Sequence, residues 1–152
     1  MRVELTTHLP VPAQQAWDYV QRSDLLDHIA APLIRFKPID GAFPERWTAG
    51  EHHATMLLFG VLPIGRQVIG IEYPQAETDT HVLRDNGRGT MISRWDHWIF
   101  LRPEAGGTRY TDRVDVSAGI LTPFVAGFAR LFYAHRQRRW RKLAATKFAA
   151  LA

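Results

Sequence analysis

The sequence predicts an α+β fold: a curved antiparallel sheet of about six or seven strands, two short helices after the first strand and a long helix at the C-terminal end. Three observations predict it. Apolar and polar residues alternate from Val3 to Leu9, and strand-like runs follow one another from Leu33 to Ser117. The breaks between those runs are short and contain Gly, Pro and Asn, so neighbouring strands pair antiparallel. From Phe124 to Ala152 there is no proline and only one glycine, Gly127, while apolar residues recur at helical spacing.

VELTTHL, Val3–Leu9, reads as a half-buried strand ending at Pro10. Pro12 suits the first turn of a helix whose apolar side is Ala16, Trp17, Tyr19 and Val20. Ser23 is placed to cap a second short helix, Asp24–Ala30, which must stop before Pro32. Strands are expected at Leu33–Pro38, Glu51–Phe59, Gln67–Tyr73, Thr78–Arg84, Met91–Leu101 and Arg109–Val116. The turns between them are expected at Gly60, Pro63 and Gly65, at Pro74, at Asn86 with Gly87, and at Pro103 with Gly106 and Gly107. Pro123 opens the last helix, which carries Leu121, Val125, Phe128, Phe132, Leu143 and Ala150 as a stripe. Only the sheet offers a surface large enough to receive it.

The chain has 152 residues, which fits a single domain, 1–152, with one sizeable core. A hydrophobic fraction of 46% and a charged fraction of 22% argue against a disordered or fibrous chain. The absence of cysteine excludes disulfides, thiolate zinc sites and a cysteine nucleophile. Met1–Pro10 has no apolar leader core and no apolar run approaches membrane-span length, so a cytoplasmic location is expected. The net charge of +4 is uneven: Arg130, Arg136, Arg138, Arg139, Arg141, Lys142 and Lys147 share one stretch free of acids. Taking these seven from the 19 basic residues leaves 12 against 15 acidic ones, so any attraction to anions is local.

The hairpin RWDHWIFLRPEAGGTRYTDRVDV, Arg94–Val116, holds the candidate site. One face of its first strand carries Met91, Ser93, Trp95, His97, Ile99 and Leu101, with no formal charge, and is the expected inner face. The matching face of the second carries Thr108, Tyr110, Asp112, Val114 and Val116. Leu101 opposite Thr108 would set Ile99 against Tyr110, His97 against Asp112 and Trp95 against Val114. An inward His97–Asp112 pair either fixes register structurally, or holds a ligand's polar end or serves as acid and base. His52 and His53 are adjacent on one strand and point to opposite faces, so no metal is expected, and no cofactor motif is present. Tyr73, Trp98, Tyr110 and Trp140 are read either as packing or as stacking partners for an aromatic ligand. RQRRWRK, Arg136–Lys142, is read as the solvated outer face of the helix, with RNA, DNA or an anionic membrane surface as the other reading.

Four segments, PVPAQQAWDYV (Pro10–Val20), WDHWIF (Trp95–Phe100), GTRYTDRVDV (Gly107–Val116) and RLFYAHRQRRWRKL (Arg130–Leu143), resemble the START and SRPBCC superfamily. The likeness spans the whole chain and is strongest to its small stand-alone bacterial members. The superfamily includes the birch-pollen-allergen type and polyketide cyclases. The resemblance implies a helix-grip fold, with the long helix packed over the concave face of the sheet and a cavity left between them. It implies reversible binding of a hydrophobic small molecule, a lipid, polyketide or aromatic compound, lined by Trp95, His97, Ile99, Tyr110, Asp112, Val114, Phe128 and Phe132. One alternative is a polyketide cyclase- or dehydratase-like enzyme with His97 as acid or base and Asp112 fixing its tautomer. Another is an interaction protein of the ubiquinone-binding or ribosome-associated kind, meeting its partner through the basic helix. Nucleic acid and membrane are the less favoured partners.

Overall fold

The computed structural model describes residues 1–152. Strand β1 (Arg2–Leu9) turns its alternation into two faces, with Val3 and Leu9 buried and Arg2, Glu4, Thr6 and His8 exposed. Helices α1 (Ala13–Val20) and α2 (Ser23–Ala30) follow, then β2 (Ile34–Pro38), β3 (Gly50–Leu58), β4 (Leu62–Glu72), β5 (His81–Gly89), β6 (Arg94–Glu104), β7 (Gly107–Ser117) and the long α3 (Thr122–Ala145). The seven strands form one antiparallel sheet in the order β1-β7-β6-β5-β4-β3-β2. Helix α3 lies across this curved sheet, giving the expected helix-grip α+β fold. None of its helices is long and apolar enough to cross a membrane.

Several local expectations are corrected, and each correction has a physical cause. Ser23 does not cap α2: it is the first helical residue, and its hydroxyl donates to the Pro44 carbonyl at 2.7 Å. The β3–β4 turn is made by Phe59 and Gly60, both at positive φ, so Pro63 and Gly65 fall inside β4, beside a register irregularity at Met56 and Leu57. Asn86 and Gly87 do not end β5, which runs to Gly89. A side chain at Gly87 or Gly89 would collide with Gln67 at 2.9 and 2.7 Å, so these glycines serve close packing rather than a turn. Met91 and Ser93 consequently lie in the following turn and not on the inner face of β6.

The β6–β7 hairpin closes on Ala105 and Gly106, which shifts the expected register by two residues. Leu101 pairs with Tyr110, Ile99 with Asp112, His97 with Val114 and Trp95 with Val116. A shift of two preserves the face of every residue, because side chains alternate with period two. Arg94, Asp96 and Arg113 therefore stay on the convex side, where Arg84 holds both oxygens of Asp96 at 2.9 Å and covers the Trp98 ring.

Helix α3 ends at Ala145 rather than continuing to Ala152. Lys147 and Phe148 adopt left-handed φ, and the Phe148 amide bonds back to the Leu143 carbonyl at 2.8 Å. That turn stacks Phe148 on Tyr19 with ring centroids 3.8 Å apart. The buried side of α3 is Ala126, Ala129, Phe132, Tyr133, Arg136, Gln137, Trp140, Leu143 and Ala144. Of the expected stripe, Phe132 and Leu143 are on it, while Leu121 and Phe128 are exposed and Ala150 lies beyond the helix. The basic run is not wholly an outer face, since Arg136, Gln137 and Trp140 point inward.

Two apolar clusters result. One joins α1 to the second half of α3 through Leu9, Ile99, Leu101, Tyr110, Trp140 and Phe148, each large side chain contributing about 1.5–3 kcal/mol on burial. The other lies under the first half of α3 and includes Val3, Trp95, Val114, Val116, Phe132 and Tyr133.

Candidate functional site

The second cluster does not close. Between α3, α2 and strands β2–β6 lies a cavity of about 450 Å³, of a size that holds a small organic ligand. Of its 20 lining residues, 16 are hydrophobic, so it offers water little reason to stay. Val125, Phe128 and Phe132 of α3 face Phe36, Met56 and Ile69 of the sheet across it. Its mouth is framed by Ile64, Met91, Leu121 and Phe124, all exposed, with Phe124 at 83%.

Four strongly polar or ionisable side chains outside the hydrophobic set interrupt this apolar wall: Gln67, Asp85, His97 and Arg136. Asp85 on β5 pairs directly with His97 on β6, so both project from the concave side. The β4–β5 ladder has no pairing at Ile69 and Gly70, and the free Gly70 amide instead donates to Asp85 Oδ1 at 2.8 Å. Burial pushes the Asp85 carboxyl up to about 7, against smaller opposing effects of the Gly70 bond and the Arg136 charge. Gln67 fits into the space left by Gly87 and Gly89.

Behind His97 is a closed polar network. His97 Nε2 bonds Asp112 Oδ1 at 2.7 Å, the Tyr110 hydroxyl donates to the same oxygen at 2.9 Å, and Gln137 Nε2 donates to Oδ2 at 3.0 Å and to the Leu5 carbonyl at 2.9 Å. Burial alone would raise the Asp112 pKa, but the His97 bond and the His97, Arg136 and Gln137 interactions outweigh it, and the carboxyl stays ionised below its ordinary value. Burial lowers the pKa of His97 more than Asp112 raises it, so the imidazole is neutral at pH 7. Its Nε2–H then points to Asp112 and Nδ1 is left as the acceptor. On the wall beside it Trp95 Nε1 donates to the Tyr133 hydroxyl at 2.9 Å.

The structure thus brings Trp95, His97, Phe128 and Phe132 to the cavity surface. Asp112 stands one layer behind, bonded to His97, while Ile99, Tyr110 and Val114 are buried in the packed clusters. Of the other aromatic candidates, Trp140 packs between Tyr110 and Phe148, Trp98 lies on the convex face and Tyr73 donates to the Trp47 carbonyl. His52 bonds the Thr48 carbonyl, and no group of three His, Cys, Asp or Glu side chains is placed to hold a metal ion.

Asp85 and Arg136 were not among the residues that sequence reasoning brought to the site. Asp85 follows the expected end of its strand at Arg84, and its inward direction is visible only once Asn86-Gly87 is read as strand. For Arg136 the signal was the spacing: it lies four residues after Phe132 and four before Trp140, on the same side of the helix.

This fold and this cavity define a helix-grip architecture, and solved structures share it. A START superfamily protein from Mycobacterium smegmatis superposes with a TM-score of 0.68 at 13% identity, over 95% of this chain and 97% of that one. TTHA0849 from Thermus thermophilus gives 0.69 at 10% identity, over 97% and 99%. Ara h 8.0201 gives 0.64 at 14% identity, over 96% and 98%. At these identities the likeness is one of fold. By sequence the chain belongs to the family described as Domain of unknown function (DUF8410), which matches residues 7–144. A search of curated proteins finds no match.

Proposed function

We propose that this protein reversibly binds a hydrophobic small molecule, of the lipid, polyketide or aromatic class, between the sheet and α3. The observation that carries the reading is the cavity itself: about 450 Å³, walled by hydrophobic side chains and open through an apolar mouth. Transfer of an apolar ligand from water into such a space is favourable by about 25 cal/mol for each Å² buried. The few polar groups at its inner wall supply orientation. Native mass spectrometry of the protein purified from cells, followed by denaturation and identification of released material, tests it. A stoichiometric apolar compound is expected, absent from a Met56→Trp variant in which the indole occupies the cavity. A protein that emerges empty and takes up no added apolar compound overturns the reading.

A polyketide cyclase- or dehydratase-like activity is favoured by one separate observation, the neutral His97 on the cavity wall with Asp112 fixed behind it at 2.7 Å. That arrangement suits an imidazole that takes a proton at Nδ1 from an enolisable substrate. Turnover of such a substrate would be lost in His97→Ala, and an unchanged rate there excludes this role.

A further inference from the structure

Arg136 is the one cation of α3 that the fold encloses. It is 6% exposed, lines the cavity, and its Nε has no hydrogen-bond partner. The guanidinium rests against the faces of Phe132 and Tyr133, 5.7 and 5.0 Å from their centroids. No carboxylate lies within ion-pair distance of it. Asp112 is engaged by His97, Tyr110 and Gln137, and Asp85 Oδ1 accepts from the Gly70 amide. Burying a cation without a hydrogen-bonded counter-charge is costly, and removing that cost by replacement with an apolar side chain would be simple. A guanidinium offers five donors and no acceptor, and its planar fork matches a carboxylate.

We propose that the cavity's ligand is an amphiphile with a carboxylate head, received by Arg136 at the inner wall while its apolar body lies along Val125, Phe128, Met56 and Ile69. This rests on the cavity-binding reading above and specifies the chemical class it takes. Two further donors face the same space. Gln67, whose Nε2 reaches the Val68 carbonyl at 3.5 Å, has a second amide hydrogen to offer, and the Tyr133 hydroxyl, which accepts from Trp95, keeps its own hydrogen to give. The groups around the head are Gln67 from β4, Asp85 from β5, His97 from β6, and Tyr133 with Arg136 from α3, with Tyr110 and Asp112 of β7 one layer behind. His97 is neutral and Asp112 is ionised but satisfied, so Asp85 is the group whose charge opposes an incoming carboxylate. With its carboxyl titrating near 7, Asp85 takes up one proton when a second carboxylate arrives, and the pair shares it.

Isothermal titration of the 152-residue chain with decanoate, decanol and decylamine, at pH 6 and pH 8.5, tests the assignment. The wild type is expected to bind decanoate at pH 6 about tenfold or more tightly than decanol, with decylamine weakest. Arg136→Met is expected to lose that preference while binding decanol within about threefold of wild type, since the apolar walls are untouched. Decanoate affinity is expected to fall at pH 8.5 in the wild type and to hold steady in Asp85→Asn. Equal binding of decanoate and decanol by the wild type, or a preference that survives in Arg136→Met, overturns the carboxylate assignment and leaves the cavity reading standing. Failure of all three probes to bind overturns the cavity reading as well. Should Arg136→Met not fold, the Asp85→Asn comparison decides, and a pH dependence that persists in it overturns the shared-proton arrangement.

Discussion

The two ends of α3 press on the same sheet and leave opposite results. At the C-terminal end Trp140, Leu143 and the folded-back Phe148 meet Tyr110, Leu101 and α1, and the space is filled. At the N-terminal end Ala126 and Ala129 pack into the cluster with Val3, Val114 and Val116, while Val125, Phe128 and Phe132 face Phe36, Met56 and Ile69 without meeting them, and a cavity remains. A helix held off a curved sheet needs large inward side chains to close the gap. Where they stop short of the opposite strands, the same geometry yields a binding space, and the solid end supplies the stability the open end forgoes.

The largest effect that would separate the two ends is a truncation. Trp140→Ala removes a fully buried indole from the filled end and is expected to cost about 3–5 kcal/mol in urea denaturation. Phe128→Ala, at 37% exposure on the cavity rim, is expected to cost less than about 1 kcal/mol. Equal losses would mean that the open end is packed in solution and the comparison fails.

Enlargement reverses the test. Ala144→Phe at the filled end has no room and is expected to cost about 1–3 kcal/mol, whereas Met56→Trp points into the cavity and is expected to leave stability within about 1 kcal/mol of wild type. The same denaturation series reads both, and a severe loss in Met56→Trp would deny the cavity its volume.

The filled and open ends were not equally legible in the sequence. Strand alternation and the break-free C-terminal segment gave the α+β order, because they depend only on side-chain period and backbone freedom. The inward faces of β6 and β7 were also readable, since a register error of two residues leaves faces unchanged, and this is why His97 and Asp112 meet although they are not opposite each other. Asp85 was hidden by Asn86-Gly87, a pair that usually turns the chain and here packs under Gln67. Arg136 was hidden by its neighbours, because a run of cations reads as solvated until tertiary contacts decide which one turns in. The cavity followed from the resemblance alone, being a property of side-chain volumes across elements distant in sequence.

Charge at the open end carries its own signature. Asp85 ionises near 7 in the folded chain and near its ordinary 3.8 when unfolded, so between those values the folded state holds the extra proton. Stability therefore falls as pH rises through this window, and the loss is complete above 7. Asp85→Asn keeps the acceptor for the Gly70 amide and has no proton to lose. Its stability relative to wild type is expected to be unchanged near pH 4 and to improve by up to about 4 kcal/mol above pH 7. Parallel stability curves for the two proteins would show that Asp85 is ionised throughout.

His97, at the seam between the two ends, has the opposite sign and the smallest effect. Burial holds its folded pKa below the ordinary 6.5, so as pH falls beneath that value the unfolded chain takes the proton first. The stabilisation is fully present above about 6.5 and drains away as pH falls toward the folded value. His28, half-buried against α3 and beside Arg139, is shifted the same way, so the slope of the wild type alone does not isolate His97. The difference from His97→Gln does, because the glutamine amide can still donate to Asp112 but does not titrate. Between pH 7.5 and pH 5.5 the wild type is expected to lose up to about 1 kcal/mol more than His97→Gln in urea denaturation. An identical loss in both would mean that His97 binds its proton equally well folded and unfolded. The imidazole would then be as well solvated in the cavity as in water, and the apolar character of the open end would fail with it.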